Sequence, residues 1–198
     1  MKRKFLLISL LTLLVTINAN SQVKRHDFMQ QSMSTNKTGM FVLGGWALTN
    51  MAIGGVGWAK TSGDTKYFHQ MNFFWNTINL GIAGFSFYSM GQMTPMRMSP
   101  QEIMDMHIRF ENLYLINAGL DIAYIGTGFL LRYLSQKRVN RADQLLGYGN
   151  SVILQGGFLF AFDGIMYLIQ HAARINYLGD FKLAALPGGF GISTSFYF

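Results

Sequence analysis

The stretch TGMFVLGGWALTNMAIGGVGWA, Thr38 to Ala59, contains no Asp, Glu, Lys or Arg. Coiled as an α-helix at 1.5 Å per residue it is about 33 Å long, enough to cross the hydrocarbon core of a bilayer. Three more apolar segments follow. One lies within Tyr67–Met96 and also lacks formal charge, one runs from about Phe110 to Arg132 around Asp121, and one from about Gln144 to His171 around Asp163. The joints between them are short and polar. Sustained period-2 alternation is missing before residue 183, so strands fit poorly. The expected fold is all-α: an integral membrane four-helix bundle over 38–175, with helices at about 38–59, 68–92, 107–134 and 142–173. Ser99-Pro100-Gln101-Glu102 reads as an N-cap, a proline at the first helical position and an acidic first turn, so the third helix should begin there, ahead of its apolar part.

Outside the bundle, Met1-Lys-Arg-Lys4 is a basic start, Phe5 to Ile17 an apolar run, and Ala19 and Ser21 small residues ahead of Gln22. In that order they read as a cleaved signal peptide over 1–21. Residues 22–37, with Lys24, Arg25, His26 and Asp27, read as a polar, exposed exported leader. Residues 176–198 read as a short extended tail ending on Phe198.

The whole chain agrees with this placement. Of 198 residues, 50% are hydrophobic and only 13% charged, against about a quarter in ordinary soluble domains. The net charge of +7 includes Lys2, Arg3 and Lys4. Without them thirteen basic residues face nine acidic ones, with no dense cationic stripe, which excludes a nucleic-acid binder. There is no cysteine, so disulfides, thiolate nucleophiles and Cys-ligated zinc are excluded.

Lys60 and Lys66 in one joint, and Arg132, Lys137, Arg138 and Arg141 in another, contrast with Arg97 alone in the middle joint. By the positive-inside rule both mature termini lie outside the cytoplasm. The expected location is a membrane of the bacterial cell envelope, the inner membrane first. The aromatic C-terminus resembles the end of an outer-membrane barrel strand and keeps the outer membrane as the alternative. The bilayer is the expected environment, with a protein partner or a second copy alongside. Gly119 with Ala123, Gly147 with Ser151 and Gly157 with Ala161 are small-residue pairs suited to close helix approach.

Polar residues inside the spans are the candidate functional residues. His69, Asn72, Asn76 and Asn79 are spaced 3, 4 and 3, one face of a helix. Glu111, Tyr114, Asn117 or Ala118, and Asp121 repeat the spacing. Asn50, Gln155 and Asp163 complete the set, with Tyr167, Gln170 and Arg174 continuing the Asp163 face. Turned inward together, these faces form a polar seam. Either the seam is structural, with amides bridging helices, or it is a solute or proton path built on Asp121 and Asp163. His107 and His171 at the ends of their spans are weak metal or haem candidates, and no cofactor is expected. Methionines such as Met90, Met93, Met96 and Met98 suit apolar packing better than soft-metal binding.

The runs Phe68-His-Gln-Met-Asn-Phe-Phe-Trp-Asn-Thr-Ile-Asn79 and Gln155-Gly-Gly-Phe-Leu-Phe-Ala-Phe-Asp163 resemble an uncharacterised family of exported multi-helix membrane proteins of Bacteroidota. The resemblance implies an envelope protein and carries over no catalytic residue. No nucleophile elbow, zinc-protease, P-loop or dinucleotide motif occurs in the sequence. The expected function is a multi-span envelope protein, a non-enzymatic structural or accessory subunit. The alternative is a small solute or proton transporter using Asp121 and Asp163.

Overall fold

A computed structural model describes residues 2–93 and 98–184, with side chains placed over 25–93 and 98–179. The described residues form four α-helices: α1 Lys2–Lys60, α2 Gly63–Gln92, α3 Pro100–Ser135 and α4 Ala142–Ala184, with a 3-10 turn Val139–Arg141 ahead of α4. No strand occurs among them. The chain passes from α1 into α2 through Gly63 at φ +61°, a left-handed conformation open to glycine without a Cβ clash.

α3 starts where the sequence places it. The Ser99 side chain accepts from the Glu102 backbone N–H, and the Glu102 carboxylate accepts from the Ser99 N–H at 2.7 Å. This reciprocal capping box satisfies two amide donors that would otherwise lack partners at the helix start. Two helices extend well beyond expectation. The stretch 22–37, expected as an exposed leader, is helical and continuous with the rest of α1, and Phe28, Met29, Ser32 and Asn36 within it are buried. Its inward positions recur at helical spacing with Met40, Leu43, Ala47 and Asn50, so tertiary packing overrides the polar composition that suggested a leader. α4 continues to Ala184, so the extended tail expected over 176–198 is helical over its first nine residues, and the remainder lies outside the described residues.

Three helical stretches, Arg25–Lys60, Pro100–Ser135 and Val139–Gly179, are long and apolar enough to cross a membrane. α2 is not among them, because its inward face carries Asn72, Asn76 and Asn79.

The distribution of polarity is inverted relative to a soluble bundle. The most completely buried large side chains are His107, Gln155, Gln170, Asn72, Asn76, Ser32 and Ser151, every one of them polar. Outward positions hold Phe85 (73% exposed), Phe41, Ile78, Ile116 and Leu168. Apolar packing is confined to two clusters. One joins Met40, Leu43, Ala83, Tyr114, Leu159 and Phe162. The other joins Phe28, Met29, Ile103, Met106 and Ala173 near the α2–α3 connection, called here the upper end.

α4 is the hub. It packs along α3, meets α2 toward the lower end, and touches α1 more sparsely. Glycines set the close approaches. A Cβ on Gly147 would fall 2.2 Å from the Asp64 carbonyl oxygen, and one on Gly149 2.7 Å from the Gly128 carbonyl oxygen. Of the three small-residue pairs expected from sequence, only the Gly147 pair sits at such a contact. Gly119 and Gly157 have open space where a Cβ would stand.

Candidate functional site

The buried polar residues of the interior lie in three layers along the bundle. In the lower layer Gln155 of α4 ties three helices together. Its Oε1 accepts from the Trp46 indole N–H at 2.9 Å, and its amide donates to Asn72 Oδ1. Asn72 in turn donates to Asn50 Oδ1 at 2.9 Å. Asn76 donates to the Asn72 carbonyl at 2.8 Å, and Asn79 to Asn76 Oδ1 at 3.4 Å. Trp46 stacks flat on Phe158 at 3.8 Å between ring centroids, which fixes the indole N–H toward Gln155. The Asn ladder therefore follows the predicted 3, 4, 3 face, except at its first member. His69 is half-buried, and its ring lies where a Cβ on Gly57 would stand, 2.3 Å from that point. Its Nδ1 has no partner among the described residues.

In the middle layer Asp121 of α3 (2% exposed) and Asp163 of α4 (5% exposed) are both buried and neighbour one another. Two carboxyls bond only when one carries a proton, because an ionised carboxylate can only accept. Asp121 Oδ2 has no hydrogen-bond partner among the described residues. Asn117, expected inside the seam, is exposed at its rim. The inward position at this turn falls nearer Ala118, the other residue the spacing allowed.

The upper layer holds residues whose grouping the sequence did not reveal. His107 is completely buried, with Nε2 2.9 Å from the Gln170 carbonyl and Nδ1 2.8 Å from Ser32 Oγ. The carbonyl can only accept, so Nε2 carries the proton, and a neutral ring then accepts the Ser32 hydroxyl at Nδ1. Tyr114 donates to Asn36 Oδ1 at 2.8 Å. Glu111 is gripped from α4 by the Arg174 guanidinium, at 2.7 and 2.9 Å, and by His171 Nδ1 at 2.6 Å.

Both ring nitrogens of His107 are thus engaged, and His171 is turned to Glu111. The two histidines do not form a shared ligand set, and no group of three or more metal-ligating side chains occurs among the described residues. Met90 is part of the apolar core, and Met96 lies outside the described residues. Two grooves lie away from the carboxyl pair. One, of about 320 Å³, lies at the upper end between Met93, Met98 and Phe110. The other, of about 480 Å³, lies on the flank between α1 and α4.

Long apolar-faced helices around a polar interior define a helical bundle of membrane-compatible build. The chain belongs to a family of unknown function, DUF6992, whose model matches residues 42–164. The match takes in the Asn ladder, Gln155 and the Asp121–Asp163 pair, and leaves out Ser32, Asn36, His171 and Arg174. Comparison with curated proteins and with solved structures returns no match.

Proposed function

We propose that the chain is an integral membrane subunit of the bacterial cell envelope, in the inner membrane, with a structural or accessory role. The observation that carries this reading is the inverted polarity: the best-buried large side chains are all polar, and large apolar ones face outward on every helix. In water such an exterior would be an aggregation surface. In a bilayer it is the lipid-facing surface, and the interior amides and carboxyls find partners across helices instead of lying in hydrocarbon. The seam acts as the element that fixes helix register, because Gln155 bonds to α1 and α2 from α4. The experiment is alkaline carbonate extraction of membranes from cells making the full chain. Retention in the pellet supports the reading, and release into the supernatant overturns the membrane assignment.

A second reading, proton or solute transport, is favoured by the facing carboxyls and by the lone Asp121 Oδ2. Its test is a pH-sensitive dye inside proteoliposomes. Transport requires an acid-driven signal that the Asp121→Asn/Asp163→Asn double variant loses. An identical signal in both, or none in either, leaves the structural role.

A further inference from the structure

The flank groove between α1 and α4 is not part of the seam. Its floor is Gly39, Phe162 and Met166, and its walls include Val42, Phe158 and Ile165. It exists because α1 and α4 pack sparsely, and because Gly39 and Ala161 are small. A Cβ at Gly39 would fall 2.6 Å from the Met166 methyl, so the methionine tip lies over the glycine and paves the floor. From Phe158 to Ile169 the α4 wall rises about 16 Å, roughly the depth of one leaflet of hydrocarbon.

The upper end of the groove is different in kind. Ser34, Thr35 and Thr38 line it, at the level where the charge-free stretch of α1 begins, just past Lys37. Thr61, Thr77 and Thr127 each donate to the carbonyl four residues back. Thr35 and Thr38 make no such bond among the described residues, so their hydroxyls are available to a bound group. The groove offers about 480 Å³ along its length.

We propose that this groove binds one acyl chain of a diacyl phospholipid, with the ester and phosphate region of the lipid hydrogen-bonded by Ser34, Thr35 and Thr38. This rests on the membrane reading above. Chain methylenes cover Val42, Phe158, Ile165 and Ile169, and the three hydroxyls meet the acceptor oxygens where hydrocarbon gives way to headgroup.

The test transfers the full chain from nanodiscs of dioleoylphosphatidylglycerol into lipid-free detergent and counts bound lipid by native mass spectrometry. The wild-type chain should keep one phospholipid per chain. Ala161→Trp, which fills the groove from an outward position, should lower occupancy at least tenfold. Thr35→Val/Thr38→Val, which keeps shape and removes two donors, should weaken retention about tenfold with helicity and elution unchanged. A wild-type chain without lipid, or Ala161→Trp with wild-type occupancy, overturns the proposal. So does a lipid-free wild-type dimer that Ala161→Trp converts to monomer, since the groove is then a contact between copies. Any of these results with the chain still held in carbonate-washed membranes refutes the lipid site alone. Release by carbonate refutes the membrane reading itself.

Discussion

Asp121 on α3 and Asp163 on α4 turn their carboxyls toward each other in the bundle interior, while Leu120, Ile122 and Ile165 beside them face outward. Neighbouring buried carboxyls bond directly only when one carries a proton, and this makes the variants of the pair unequal. Asp163→Asn retains a donor for Asp121 and should fold as the wild type does. Asp163→Leu leaves a buried carboxyl without its partner, and should cost about 1–3 kcal/mol. Thermal unfolding of both variants in one detergent, followed by circular dichroism, checks the difference.

Gln155 is the junction of the lower layer. Gln155→Leu removes the acceptor of the Trp46 indole and the donor to Asn72 together. Interhelical side-chain bonds in membrane proteins average about 0.6 kcal/mol, so two of them should cost about 1 kcal/mol or somewhat more. A double-mutant cycle of Trp46→Phe with Gln155→Leu should return a coupling energy of about 0.6 kcal/mol.

Glu111 lies in the interior at 5% side-chain exposure, and Arg174 supplies two of its hydrogen bonds. Arg174→Leu leaves the carboxylate with His171 alone and should destabilise the bundle by about 1–3 kcal/mol. Glu111→Leu/Arg174→Leu removes both charges and should recover most of that loss. Equal melting temperatures for the single and double variants would contradict the pairing.

The glycines separate into two groups that alanine can tell apart. At Gly147 the new methyl meets Asp64 and Phe68 backbone atoms, which cannot move without parting α2 from α4. Gly147→Ala should therefore destabilise by more than about 1 kcal/mol. Gly157→Ala meets open space and should stay within about 0.5 kcal/mol of wild type. Chemical denaturation in mixed micelles measures both.

At the start of α3, the Ser99 backbone N–H and hydroxyl hold the Glu102 carboxyl below its ordinary range. A carboxylate with a depressed folded-state pKa contributes above its unfolded value and loses that contribution as pH falls through the folded value. Amide exchange in the first turn of α3 should therefore quicken on acidification below about pH 4. Glu102→Gln should flatten that dependence.

Much of the seam was legible because helical spacing survives any environment. Asn72, Asn76 and Asn79, and Glu111, Tyr114 and Asp121, share faces by arithmetic alone, and all six are buried. The cap at Ser99 was legible for the same local reason. What escaped was non-local. Ser32 and Asn36 sit in a stretch whose charges hide an inward face that only packing against α3 and α4 reveals. His107, at the end of its span by sequence, is enclosed by Ser32 and the Gln170 carbonyl, which only the fold brings to it. Asn117 fell on the rim because a spacing of three or four leaves two choices per turn, and only a neighbouring helix selects between them.

The inverted polarity of the bundle is the central claim, and the absence of native cysteine makes it directly measurable. Single cysteines at Leu48, Ile78 and Ile116, all outward and within the apolar stretches, are treated in sealed membranes with a water-soluble maleimide, then again after denaturation. The expected result is labelling only after denaturation, because these positions face lipid. Full labelling at all three positions in intact membranes would contradict the account.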